Sequence, residues 1–563
     1  MSASPPPQPP RAALWRVLFP VVAVGGATPL FFARHLPFAD LPEHVAVIAT
    51  LRHYWDPAFR SQELFTLDGA FRTQYWLYHL VGAVLAVPLG GAERANVALL
   101  AMAAVGLPYA LRALLRAARH DERLALLGVP LFYNRALAEG LMNFVASIPV
   151  CVWGLALALD QAAAPTRKRA VGLAFVGLAL FYLHLSSFAL FVLGAVAFAM
   201  AYEGRRWLSF RGLPATALRV AKRCVWLAPS TLASIVFVLT SPVTHPDASQ
   251  GVHASIVRFF PKGMLLRVLP SWMHDVWTSR VDDVAAGVAW AGILLTFVPL
   301  LPLFPLFPKR TAASPTALAD DVLRLRLARA LVVLAAAFYF FFPSQVGFAF
   351  ILDLRMAPFV GLFAVALARR RTGLRAEIPA ALVLAGAVVS TVHCAWQMRA
   401  FETEEAAYVD VLLRKLPSGK RLLMLAFDPH SPRTQIPPFL HVGAYYRARY
   451  GGIASFSFSE LPHWPVRYRP EQAPPKKKIV FWDYAPCLYR NTTDGPAYDY
   501  VLTRGERRPF DRDAPGPTWR VIGAAREWRL YQRVIGQDVP APPHFVDRGP
   551  CTEATPPPAP PAE

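Results

Sequence analysis

The sequence predicts a polytopic α-helical membrane protein of about eleven transmembrane helices, with a long first outer loop carrying interfacial helices and a small C-terminal α/β extracytoplasmic domain. Three observations carry this reading. Of the 563 residues, 55% are hydrophobic and only 17% charged. The apolar residues come in blocks (17–33, 95–115, 171–182, 224–240, 285–307 and 378–396) rather than in amphipathic periods, and runs of roughly 17–25 apolar residues read as membrane-spanning helices. The formal net charge of +21 is gathered in short connectors between these blocks, the pattern of cytoplasmic membrane loops, so no nucleic-acid partner is expected.

Taken in order, residues 1–16 form a cytoplasmic Pro-rich tail bearing Arg11 and Arg16. No small-residue cleavage site follows the first apolar run, so 17–33 reads as a retained helix. It delivers the first outer loop, 34–94. Within that loop the apolar piece 75–89 is short for a span and is placed in the interface. If it crossed, the basic connector Arg112, Arg116, Arg119 and Arg123 would lie outside, against the positive-inside rule. Residues 95–115 then form the second span. The pairs 124–134 with 141–159 and 170–183 with 186–202 run up and down, ending in the basic groups at 167–169 and 205–223. Residues 224–240, 284–307, 330–342, 356–368 and 378–397 complete the count, with 124–134 and 330–342 short enough to be broken or re-entrant. The transmembrane part is thus 17–399. Beyond it, a helix at 402–416 and β-type runs at 421–427, 478–484 and 498–503 predict an external α/β domain over 400–535. A Pro-rich disordered tail closes the chain at 536–563. Of the five cysteines, Cys151, Cys224 and Cys394 lie in apolar runs as packing. Cys487 and Cys551 could pair in an oxidising compartment.

Sorting the polar residues by side concentrates chemistry on the outer face. Asp40, Glu43 and His44 open the first loop, and Asp68, Arg72 and Gln74 precede the interfacial piece. The hairpins 133–143 and 184–187, the loop 241–283 and the tripeptide Asp353-Leu-Arg355 lie on the same side. Charged groups at membrane depth are costly and mark function, so a site centred on Asp40 is expected to face outward. Plainer readings stand beside it. Asp40 and Glu43 suit the N-terminus of a helix beginning near Leu41, Arg355 suits a pair with Asp353, and Asn134 and Asn143 suit hairpin capping and interhelical bonding. Asp40, Glu43 and His44 could hold a divalent cation, or be solvated loop residues.

Pro37-Phe-Ala-Asp40-Leu-Pro42-Glu-His44, the aromatic segment Gln74-Tyr-Trp-Leu-Tyr78 and Gly140-Leu-Met-Asn143-Phe144 after Tyr133-Asn134-Arg135 resemble segments of the C-type integral-membrane glycosyltransferases, bacterial branch. The likeness covers mainly residues 15–200. It implies transfer of a sugar, with inversion, from a polyprenyl-phosphate carrier to a glycan, lipid or protein acceptor at the outer face of the bacterial inner membrane. Asp40 would be the general base or acceptor-orienting carboxylate. Arg135, Arg258, Lys262 and Arg355 are candidates to meet the lipid phosphate. Glu43, His44 and His184 would contact substrate. No paired second acidic site is evident, and the only cofactor left open is the divalent cation. Two other functions compete. A flippase or transporter for a lipid-linked precursor would carry polar residues at helix centres and internal repeats, which are not found. A non-catalytic envelope-binding membrane protein would use the external domain alone.

Overall fold

The computed structural model describes residues 10–69, 72–203, 213–241, 257–298, 315–346, 350–371, 373–461, 464–474, 486–506, 510 and 516–534. The expected strand 478–484, the tail 536–563, Cys551 and parts of the loops at 204–212, 242–256 and 299–314 lie outside them. Among the described residues, five helices are long and apolar enough to cross a membrane: Ala13–Phe31, Ala92–Ala117, Met142–Ala163, Leu185–Glu203 and Arg375–Leu413. A sixth is added if Pro214–Arg223 and Val225–Thr240, bent by 61° at their junction, count as one.

The described helices thus supply five or six candidate spans rather than eleven. Two causes account for this: charge and length. The expected short span 330–342 is the C-terminal half of one continuous 27-residue helix, Pro315–Phe341, which carries Asp320, Asp321, Arg324, Arg326 and Arg329 along it. The other missing spans are too short. Residues 124–134 divide into a 3₁₀ turn, Glu122–Leu127, and a single helical turn, Gly128–Phe132, both packed inside the bundle. Eleven residues at 1.5 Å each reach only about half of a ~30 Å hydrocarbon core. Arg167–Leu183, Val281–Leu295 and Leu354–Leu367 also fall short of the length criterion.

The first loop differs from expectation in one informative way. Leu41–Arg52 is a helix whose residues from Leu41 to Leu51 are all buried, so it is not interfacial. Its sequence, Leu-Pro-Glu-His-Val-Ala-Val-Ile-Ala-Thr-Leu-Arg, has no polar stripe, and a helix apolar on every side is covered on every side. The covers are Trp76–Ala86 and Ala444–Tyr450. Trp76–Ala86 buries Tyr78, His79, Gly82, Ala83 and Ala86 while exposing Leu80 and Val84. That one-sided apolar face is what an interfacial helix presents.

The C-terminal region carries a five-stranded mixed sheet in the order Ile453–Ala454, Arg421–Ala426, Tyr500–Arg504, Trp528–Val534, Thr518–Ala525. The first three strands are parallel and the last two form an antiparallel hairpin. This region is tied to the first loop at three places. Phe65–Leu67 pairs antiparallel with Val466–Tyr468. Glu43 and Arg447, each about 1% exposed, form a buried ion pair at 3.2 Å. At the end of the long helix, a π-helical turn at Glu402–Ala406 presents Glu402, which accepts from the His35 backbone N–H at 2.8 Å and contacts its ring at 3.2 Å. Asp410, one further stretch along, meets His35 Nε2 at 2.9 Å and Arg34 at 2.6 Å. Arg449 joins Asp410 and Glu93 in the same network. Cys487 is disulfide-bonded, and Cys151, Cys224 and Cys394 are free.

Candidate functional site

Asp40 stands at the N-cap position of the buried helix, yet its side chain makes no capping bond. Instead His441 Nε2 donates to Asp40 Oδ1 at 3.1 Å, with the His441 side chain 1% exposed and that of Asp40 23% exposed. The imidazole is stacked on Phe456, 4.5 Å between ring centroids. Asp40 is therefore oriented by a residue four hundred positions away rather than spent on its own helix.

The floor under Asp40 is the hairpin after Tyr133. Asn134 caps the short helix Arg135–Ala138 by accepting from the Leu137 N–H at 3.2 Å. Ala39 and Asp40 donate their N–H groups to the carbonyls of Ala138 and Glu139, at 3.0 and 3.3 Å. Gly140 closes this turn with φ +87°, and a Cβ there would lie 2.3 Å from the Asp40 nitrogen. Only glycine permits both the left-handed backbone and this approach. Glu139 is thus brought beside Asp40. Burial raises its carboxyl above the usual range, and the Asp40 charge adds to that effect, against the lowering by Arg135 at 2.9 Å. Glu139 is the second carboxyl that spacing in the sequence did not reveal.

His44 and His79 form the next wall, with Nδ1 and Nε2 3.1 Å apart and the rings stacked. Burial holds both imidazoles down, His44 well below its ordinary value and His79 to about 4. Trp464 packs edge-on against both and stacks on Tyr75, 5.5 Å between centroids. Tyr75 in turn lies 5.6 Å from His184, and it is close enough to Arg355 to feel its charge.

Arg355 is the decisive residue of this circuit. It is 9% exposed and sits in the turn Leu354–Met356, which packs against Arg135–Ala138. The expected pair with Asp353 does not form. Asp353 caps its own turn, accepting from the Leu354 N–H at 2.9 Å, and burial pushes its carboxyl up to about 6. Among the described residues Arg355 makes no ion pair, and its Nε has no hydrogen-bond partner. Asn143 is 3% exposed, and neither its Oδ1 nor its Nδ2 is bonded among the described residues, so the interhelical bond expected of it is not found there. The neighbouring Phe144 contacts both His184 and Phe359, which links Asn143 to the Arg355 segment. Buried polar groups without partners are rare in native proteins and call for an explanation.

The remaining predicted residues divide. Arg135 is at the site, bonded to Glu139 and, at 3.3 Å, to Gln435. Glu43 points away into its pair with Arg447 and accepts from the Phe458 N–H at 3.0 Å, so it contacts protein where a substrate contact was expected. His44 is enclosed. His184 accepts from the Ser186 N–H at 3.2 Å and links two helices, with its ring still against Tyr75. Lys262 donates to the Phe340 carbonyl and lies over the Phe259 and Phe341 rings. Arg258 is exposed on a two-residue strand paired with Gln345–Val346, with no described contact to Asp40. Asp40, Glu43 and His44 turn to three different partners, and no group of three metal-ligating side chains is present among the described residues.

No family model matches this chain, and no curated protein matches it. Among solved structures it is similar to the arabinofuranosyltransferase AftD from Mycobacteria, determined by single-particle cryo-EM. The TM-score is 0.45 at 15% identity, over 92% of this chain and 40% of that one. The chain therefore spans two fifths of the length of that protein.

His441 and Glu139 were not assigned a role from sequence, and Asn143 was assigned only a structural one. His441 follows a Pro-rich stretch without periodicity, which is held across the site by Gln435 N–H to Val276 O at 3.2 Å and by a β-bridge between Thr434 and Trp277. No local signal marks it.

Proposed function

We propose that this protein is an inverting membrane glycosyltransferase that moves a sugar from a polyprenyl-phosphate carrier to an envelope glycan, lipid or protein acceptor, with Asp40 as base and Arg355 as the phosphate-binding cation. The observation that carries this is Arg355, a buried guanidinium with no hydrogen bond or ion pair among the described residues, in a chain with several apolar helices long enough to span a membrane. A buried, unpaired charge is strongly unfavourable. An anionic phosphate is the partner whose geometry an arginine fork matches.

In the proposed step the acceptor hydroxyl oxygen attacks the anomeric carbon. The bond from that carbon to the phosphate oxygen breaks, and the phosphate keeps the electron pair. The hydroxyl proton passes to the exposed oxygen of Asp40, whose other oxygen is held by His441. Arg355 stabilises the charge that develops on the leaving phosphate, and in this reading Asn143 and His184 bond the phosphate or the sugar. Glu139, its carboxyl raised by burial, is the candidate to hold a proton beside Asp40. In this reading the site faces the outer side of a bacterial inner membrane, with the N-terminus cytoplasmic.

The test compares envelope glycans and glycolipids from a deletion strain complemented with wild type or with Asp40→Asn. A sugar missing from the deletion strain and restored only by wild type is expected. Full rescue by Asp40→Asn at equal protein level refutes the role of Asp40. A reporter fused after residue 536 that proves cytoplasmic refutes the sidedness.

A further inference from the structure

A second polar constellation lies apart from the Asp40 site, at the end of the bundle that carries the basic connectors. There the C-terminal ends of Met142–Ala163 and Leu185–Glu203 meet the start of Arg167–Leu183 and the helix Leu213–Arg223. They border an open cavity of about 370 Å³ whose lining includes Gln161, Glu203, Arg219, Lys222, Arg223 and Trp226. Three cations thus face one carboxylate. Glu203 accepts from Arg219 at 3.0 Å and from Arg223, and Arg223 also donates to the Ala162 carbonyl at 2.7 Å. Lys222 makes no hydrogen bond or ion pair among the described residues.

The setting of the cavity decides what such a cationic site would take. Leu213–Arg223 segregates its residues sharply, with Thr216 buried and Leu218 57% exposed. The helix turns by 61° into Val225–Thr240, so it lies across the direction of the next helix, and Val225 at the bend is 66% exposed. On the other side of the cavity Val171 is exposed one turn beyond the exposed basic pair Arg167 and Lys168. Cations therefore ring the opening just where exposed apolar surface begins. A soluble anion would use the charge but leave the apolar rim bare. An amphiphile with a phosphate headgroup matches both.

We infer that this cavity binds the headgroup of an anionic phospholipid, with Lys222, Arg219 and Arg223 on the phosphate, Trp226 against the glycerol region and the acyl chains along Leu218 and Val225. This site is independent of the proposed transfer reaction. The experiment is native mass spectrometry of the delipidated full chain in detergent, titrated with phosphatidylglycerol, with phosphatidylcholine, or with phosphatidylglycerol plus excess inorganic phosphate. Wild type is expected to bind phosphatidylglycerol in preference to phosphatidylcholine, and inorganic phosphate to compete poorly. Lys222→Glu, at a side chain with no hydrogen bond or ion pair among the described residues, reverses one charge and is expected to weaken phosphatidylglycerol binding about thirtyfold. Arg280→Glu, at an exposed cation elsewhere, should leave it unchanged. Equal binding of the two lipids, complete displacement by inorganic phosphate, or an unchanged affinity in Lys222→Glu would each overturn the inference.

Discussion

Arg355→Met should make the protein more stable and less active, an inversion of the usual result for a buried residue. The magnitude follows from what surrounds the side chain. Removing one partner of a buried ion pair typically costs about 3–5 kcal/mol, largely because the other charge is left uncompensated. Arg355 is already in that state. It is nine-tenths buried, its Nε is unbonded among the described residues, and the carboxylate two positions before it, Asp353, is committed to capping Leu354. Methionine keeps much of the volume and removes the charge, so a gain of about 1–4 kcal/mol is expected, the range seen when buried ions give way to apolar residues. The assay is thermal unfolding of purified protein in detergent, run beside sugar transfer in membranes. Adding a polyprenyl phosphate should raise the melting temperature of wild type and leave Arg355→Met unmoved. Loss of stability in Arg355→Met, or equal stabilisation of both by the lipid phosphate, would show that Arg355 is satisfied within the folded chain and would refute the assignment.

Glu43→Gln should behave oppositely. It breaks the pair with Arg447, destabilising by about 3–5 kcal/mol, while activity per folded molecule stays at the wild-type level. The double change Glu43→Leu with Arg447→Met should recover most of that loss in thermal unfolding. His441→Ala removes a charge-assisted hydrogen bond worth about 1.5–3 kcal/mol, which corresponds to a fall in turnover of about 10- to 150-fold. The KM for the lipid donor should be unchanged, and His441→Gln should restore part of the rate. Gly140→Ala imposes a positive-φ cost of about 1–3 kcal/mol and drives a methyl group into the Asp40 backbone. Lower melting temperature and lost transfer are expected together, and wild-type values of both would contradict the packing described. The His35 network sets a pH dependence. Burial lowers the His35 pKa, but bonds to Asp410 and Glu402 outweigh it and leave the group raised. Its contribution is therefore complete below the unfolded value near 6.5 and is lost as pH rises through the higher folded value. The stability difference between wild type and His35→Gln should shrink as pH is taken from 6 to 9, and a difference that grows would be inconsistent with this network.

The parts of this protein legible in its sequence are those dictated by local composition. Blocks of apolar residues announced spanning helices because a helix in lipid must be apolar along its own length, and five or six such helices stand among the described residues. The strands at 421–426 and 500–504 were readable as β-branched and aliphatic runs between turn residues. The hairpin of Thr518–Ala525 and Trp528–Val534 was not. Its turn holds Arg526 at φ +48° without the glycine or asparagine that normally marks such a turn. Asp40, Arg135 and Arg355 could be nominated because charge beside apolar runs is conspicuous. What the sequence could not determine is which of these charges are satisfied. Glu43 and Arg355 look alike as letters, each a charge beside an apolar run. Only the tertiary structure supplies Arg447 to the first and, among the described residues, no partner to the second. His441 illustrates the same limit, since its meeting with Asp40 spans four hundred residues. Helical propensity and hydropathy act over a turn or two of chain, whereas hydrogen bonds and ion pairs depend on distances fixed only when remote segments pack together.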